Sequence, residues 1–248
     1  VLDSEQHTVT LTASQVHSAY EIEDAIIRAT ERGSRPGIVI LDGRDGSFVY
    51  TGDDRSLNIF VSNLTLVGVN QAKIEKCGDG LFFDDFPLQN IRVEGIEFVC
   101  TGHGVWTGSA FNKVTLRNNI FRTGLVAINM GGESRDWLIE QNLIVTYANG
   151  IEITGANKIV ITNNYISGWV GILLRHCSEF QISKNIIQGN LWGVQLVQDS
   201  SKNWVQKNLV HYERYSGIIL VEGVKENQIL SNTVSCPPCR PCPGHRGR

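Results

Sequence analysis

An asparagine returns about every 22 residues along most of this chain. It stands at Asn119, Asn142, Asn164, Asn185, Asn208 and Asn232, with spacings of 23, 22, 21, 23 and 24. Three residues before each comes an aliphatic side chain: Leu116, Ile139, Ile161, Ile182, Val205 and Ile229. Eight to ten residues after the first five, a second aliphatic position follows, usually behind a glycine, as in Gly150-Ile151 and Gly171-Ile172. A period this short, carried by β-branched runs, means stacked supersecondary units rather than one globular core. Strands about 4.8 Å apart then require successive units to stack in parallel. Function in such a solenoid sits on outward residues that line up from rung to rung.

Alternation assigns the faces. In the strand around Gly150, Ile151 and Ile153 point inward and Glu152 and Thr154 outward. Trp137, Ile159 and Phe180 share one inward column. Residues 18–32 read as an amphipathic helix, with Ala19, Ile22, Ala25, Ile26 and Ala29 on one face. Such a helix covers the raw sheet edge and core cross-section of a first coil. The organisation is therefore an N-terminal segment over 1–36 holding the cap, a β-helix over 37–234, and a tail over 235–248. The tail is rich in Pro, Cys and Arg and is read as flexible. Its Cys236, Cys239, Cys242 and His245 are zinc-type ligands, but prolines interrupt the knuckle turns, so no metal site is expected. The asparagine column is read as scaffold, with the asparagines themselves in left-handed turns. Cys77 and Cys100 stand one rung apart; a disulfide between neighbouring coils is one reading, and two buried thiols is the preferred one.

Only 19% of residues are charged and the net charge is -3, so nucleic acid is not an expected partner. No apolar run is long enough for membrane insertion.

The asparagine column, the Gly-Ile strands and the opening helix followed by Ile40-Leu41-Asp42-Gly43 resemble the right-handed parallel β-helix proteins of the pectate-lyase-like superfamily. The resemblance covers roughly residues 18–234. It implies an all-β, single-stranded right-handed parallel β-helix whose long sheet face is the floor of a polysaccharide groove. It also implies a secreted or cell-surface protein. The outward column over that floor is Phe82, Trp106, Asn129, Glu152, Leu173, Gln195 and Ile219. Rings stand in the turns beside it at His103, Tyr147, Trp169, Trp192 and Tyr215. Aromatic rings with a polar tip suit the flat C–H faces of sugars. Trp106, Asn129, Glu152, Tyr147, Trp169, Trp192 and Gln195 are the expected substrate contacts, with Trp169 and Trp192 side by side.

The chemistry-bearing candidates are Asp79, Asp84, Asp85, His103 and Arg175. In register, Asp79 falls under His103. The segment Gly102-His103-Gly104 resembles the Gly-His-Gly of polygalacturonase-type glycosidases. Only Asp79 matches their preceding Asp pair, and their substrate-carboxylate clamp would fall near Asn129 and Gly131, where it is absent. Glycoside hydrolysis needs two carboxyl groups, for which Asp84 or Asp85 could serve. A lyase instead needs a base and a cation to neutralise the uronate; Arg122, Arg135 or Arg175 could act, and a calcium ion could be held by the aspartates. The two readings are a polysaccharide lyase or glycosidase, and a non-catalytic structural or adhesion module that self-associates through its C-terminal end.

Overall fold

The computed structural model of the protein describes residues 7–50, 56–83, 87–108, 110–221 and 223–236. Every strand pair is parallel, and partners lie one coil apart in sequence. One sheet has ten strands, running from His7–Thr12 through Gly37–Asp42 and Asn112–Arg117 to Gln228–Leu230. The other has 15 strands in two rows. One row includes Lys73–Cys77, Glu97–Cys100, Ile120–Thr123 and Leu143–Thr146. The second includes Leu81–Phe83, Val105–Thr107, Ile128–Met130 and Ile151–Thr154. The rows fuse where Tyr165–Arg175 and Ile186–Val197 run straight through the corner. Among the described residues the sheet begins at His7, which pairs with Gly37, ahead of the helix.

The asparagine column holds the coils in register. Asn119, Asn142, Asn164, Asn185 and Asn208 are all at most 2% exposed. Each Oδ1 from Asn142 onward accepts the backbone N–H of the preceding coil's asparagine at 2.9 Å. Each Nδ2 donates to the carbonyl of the aliphatic residue three positions before that same asparagine, as in Asn142 to Leu116 and Asn164 to Ile139, both 2.9 Å. The scaffold reading holds, with one correction. The left-handed residues are those just before the column: Asn118, Gln141, Asn163, Lys184, Lys207 and Ser231, with φ between 52° and 56°. The reason is geometric. The left-handed residue turns the chain outward, and the next side chain points inward where its amide can bond across coils.

A second corner repeats the device less regularly. Lys113, Asp136, Lys158, Glu179, Lys202 and Glu226 are left-handed there. Phe180 N–H donates to Asn203 Oδ1 at 2.9 Å, and Asn203 N–H to Asn227 Oδ1 at 3.0 Å. Three residues earlier in the coil, serines make a separate set of cross-coil bonds: Phe111 N–H donates to Ser134 Oγ and Cys177 N–H to Ser200 Oγ, each at 3.2 Å. The Asn203–Asn227 column escapes notice in the sequence because earlier coils carry Trp137, Ile159 and Phe180 at that position.

The cap is the helix Ala19–Thr30, started by a Ser18–Glu21 capping box. Its buried face is the expected one. Glu23 accepts from Asn58 N–H at 3.0 Å and from Asn58 Nδ2 at 2.8 Å, tying the cap to the coil beneath. Burial raises its pKa above the usual carboxylate value. The thiol expectation for Cys77 and Cys100 is corrected: the two form a disulfide across neighbouring coils. The sheet pairing places them opposite one another, which brings the sulfurs within bonding distance. Asp84, Asp85, Cys239, Cys242 and His245 lie outside the described residues.

Replacing Asn164 with Ala removes the acceptor of both the Asn142 backbone N–H and its Nδ2, in a buried site. The expected loss is about 1–3 kcal/mol of unfolding free energy, read from urea titration. An unchanged midpoint would contradict the ladder's role.

Candidate functional site

The site is built at the corner between the two rows of the larger sheet. The strand Lys73–Cys77 leads into Gly78-Asp79-Gly80, and Glu97–Cys100 leads into Thr101-Gly102-His103-Gly104. Asp79 Oδ1 accepts the His103 backbone N–H at 2.6 Å and lies 3.0 Å from its ring Nδ1. Asp79 Oδ2 is 3.5 Å from Ser56 Oγ. On the ring's other side, Asn129 Nδ2 is 3.4 Å from Nε2. Glycine at 102 makes this approach possible, since a Cβ there would come within 2.3 Å of Asp79 Oδ1.

These contacts have an electrostatic consequence. The bonds from His103 stabilise the Asp79 carboxylate and hold its pKa below the usual range, against a smaller opposing effect of burial. An ionised Asp79 places the ring proton on Nδ1, leaving the Nε2 lone pair toward Asn129 and the groove. That arrangement can accept a proton at Nε2 and stabilise the imidazolium that results.

The floor column holds its expected register, but Leu173 is only 4% exposed and adds little to the open face. Phe82, Trp106, Asn129, Glu152, Leu173, Gln195 and Ile219 are successive partners in the parallel register. Phe82 and Trp106 stack with centroids 4.8 Å apart. Glu152 pairs with Arg175 and also accepts from Asn149 Nδ2 at 2.7 Å. Arg175 thus lies on a coil three beyond His103 and is engaged by Glu152, so the structure does not bring it to the Asp79–His103 pair.

The aromatic flank differs in detail. Trp169 and Trp192 are not in equivalent positions, because the register slips between Gly168 and Val170 and sets Trp192 opposite Val170. Trp192 stacks instead on Tyr215, with centroids 4.7 Å apart. Trp169 and Tyr215, both 58% exposed, line one hollow of about 470 Å³ with Asn190, Leu191, Glu213 and Arg214. Tyr147, 83% exposed, borders another of about 560 Å³ with Arg122, Thr101 and Gly124. Among the described residues, no three His, Cys, Asp or Glu side chains converge as metal ligands. The His103–Asn129 contact and the Ser56 contact were not foreseen; the alignment of His103 and Asn129 on adjacent coils was the available signal.

Residues 104–239 match the family model described as the right handed beta helix region. The chain belongs to the right-handed β-helix family. A curated relative, an uncharacterised protein YclG of Bacillus subtilis (strain 168), is 26% identical over 208 residues, covering 76% of this chain. The chain spans about a third of that relative's length, 32%. Among solved structures, the A-module of the Azotobacter vinelandii mannuronan C-5 epimerase AlgE4 aligns with a TM-score of 0.64 at 16% identity, covering 90% of this chain and 77% of its own. A variant DFA-IIIase of Arthrobacter chlorophenolicus A6 in complex with DFA-III gives 0.60 at 10% identity, covering 92% and 84%. The periplasmic alginate epimerase AlgG gives 0.54 at 11% identity, covering 92% and 74%. These structural likenesses establish the β-helix fold.

The Asp79 bonds make stability depend on pH with a definite sign. A carboxylate whose folded pKa is depressed stabilises fully above its unfolded value, about 3.9, and loses that contribution as pH falls through the folded value. Asp79→Asn is expected to be less stable than the parent near neutral pH. The gap should shrink in acid below the ordinary aspartate range. A gap independent of pH, measured by denaturant titration at several pH values, would contradict the ionised assignment.

Proposed function

We propose that the protein binds a uronate-containing polysaccharide along the corner groove, and that His103 withdraws a proton from the bound sugar in a lyase-type elimination. His103 Nε2 takes the proton beside the sugar carboxyl group while that C–H electron pair forms the C=C bond. The glycosidic C–O bond breaks, its electrons leaving on the oxygen, which takes a proton from solvent. One observation carries this reading: the Asp79 carboxylate holds the His103 ring through Nδ1 and leaves Nε2 facing the outward column. A base poised in this way suits removal of a proton beside a carboxyl group. A carboxylate pair for glycoside hydrolysis is less well supported by the described residues, since Asp79 is engaged by His103 and Glu152 by Arg175. The stacked Phe82 and Trp106 offer a flat platform beside the base, and Trp169, Trp192 and Tyr215 extend an aromatic flank several coils further. Epimerases acting on mannuronan and alginate share the fold, which supports a carbohydrate chain as the ligand.

The disulfide favours an oxidising compartment, in keeping with a secreted or cell-surface location. No helix among the described residues is long and apolar enough to cross a membrane.

A second reading has its own observation. Leu230 and Val234 of the last described coil are 49% and 46% exposed, and no described strand pairs beyond them. A second copy could extend such an edge, giving a self-associating, non-catalytic module. Sedimentation with dilution distinguishes it: an oligomer lost in Leu230→Lys, with no product from any polysaccharide, would favour this module.

The lyase reading is tested by screening uronate polysaccharides for unsaturated product. His103→Ala is expected to lower turnover about 100-fold or more with the fold intact. Reducing ends without unsaturated product, or equal turnover in the variant, would overturn it. Trp192→Ala is expected to weaken oligosaccharide binding about tenfold, about 1.4 kcal/mol. A lower melting temperature with binding unchanged would make the Trp192–Tyr215 stack a packing feature.

A further inference from the structure

The disulfide and the Asp79–His103 pair occupy the same corner. Cys77 lies two residues before Asp79, and Cys100 three before His103. A left-handed residue, Lys76, is inserted between the ladder partners Glu75↔Val99 and Cys77↔Cys100. This insertion is what sets the two cysteines opposite each other. Beyond the disulfide the two chains leave the strand ladder. Thr101 N–H donates to Cys77 O at 3.0 Å and Gly102 N–H to Gly78 O at 2.6 Å. The next donor, His103 N–H, goes to the Asp79 side chain. Backbone bonding resumes at Gly80, whose N–H donates to His103 O at 2.8 Å, and strand pairing at Leu81 and Val105.

The stretch contains Gly78, Gly80, Gly102 and Gly104, and at its centre the His103 N–H is held by a side chain instead of a backbone carbonyl, so without other ties its backbone would have unusual freedom. The following coils close the same corner differently. The position of Cys100 is taken by Thr123 and then Thr146. Both hydroxyls bond the Leu125 carbonyl, Thr123 at 3.0 Å. Among the described residues, the covalent tie occurs at the one corner that carries a carboxylate–imidazole pair.

We propose that the Cys77–Cys100 disulfide is a positioning element for the Asp79–His103 pair, holding the glycine-rich corner so that the carboxylate meets both the His103 backbone N–H and its ring. The proposal rests on the reading of that pair as the reactive centre. The cysteines touch no substrate; they act through Asp79 and His103. A staple that only stabilised the coils would be placed equally well at any corner.

The test follows the His103 backbone amide proton by NMR from about pH 2 to about pH 7, since that proton reports the charge on Asp79. In the parent, the midpoint should fall below the ordinary aspartate value of about 3.9. Cys77→Ser/Cys100→Ser should move it up to that value, and the His103 Nδ1 signal should lose its bonded position. Cys77→Ala/Cys100→Thr gives this coil the threonine of the next and should show the same loss. Reduction of the folded parent by dithiothreitol, which leaves as its cyclic disulfide, should reproduce it without substitution. Asn185→Ala, destabilised at a distant coil, should keep the parent midpoint. The proposal is overturned if the reduced or substituted proteins melt lower yet keep the parent midpoint, if the threonine variant alone retains it, or if Asn185→Ala shifts it equally. No polysaccharide is needed. A substrate screen without product would sink the lyase reading and leave this titration standing.

Discussion

The rest of the structure depends on a buried side-chain amide that bonds from one coil to the next. A parallel solenoid has no hairpins to set its register, so each coil must find the one beneath it by other means. Hydrophobic stacking cannot do this alone, because one aliphatic rung slides over another at little cost. A buried amide cannot slide. Asn142, Asn164, Asn185 and Asn208 each offer an acceptor to one neighbour's backbone and a donor to its carbonyl. A shift of one residue would strand both groups away from water, at about 1–3 kcal/mol each. The left-handed residue before each asparagine turns the chain so that this side chain points inward.

Register at that corner propagates to the groove. With strand partners set, every second residue faces out, and outward residues from successive coils form columns. The column of Phe82, Trp106 and Asn129 is such a product, as is the apposition of Asp79 under His103. At the reactive corner the ladder is interrupted by glycines. Local ties replace it there: the disulfide, the Asp79 bonds and the Asn129 contact. The groove thus takes its long-range order from the scaffold and its local geometry from its own side chains.

The fold was legible because one residue type recurs at one position. The floor column followed from alternation, and the Asp79–His103 apposition from counting one coil. What was not legible has physical causes. The second corner's asparagines, Asn203 and Asn227, stand in a column that carries Trp137, Ile159 and Phe180 in earlier coils, so no single letter marks it. The Cys77–Cys100 bond depends on an inserted residue, Lys76, that a fixed period does not reveal. The stack of Trp192 on Tyr215 rather than beside Trp169 follows from a slip between Gly168 and Val170. Arg175 looked available for chemistry, but its partner Glu152 lies one coil below and engages it. In each case the periodic pattern is a good guide to the scaffold and a poor one to the irregularities, and the site sits among the irregularities.

The central claim is that cross-coil bonds to the asparagine column hold the register. Native-state hydrogen exchange of the backbone amides of Asn119, Asn142, Asn164, Asn185 and Asn208 tests it most directly, since each donates to the next coil's side chain. They are predicted to exchange as slowly as the core strand amides, opening only with global unfolding. Exchange as fast as that of exposed turn amides would contradict the account.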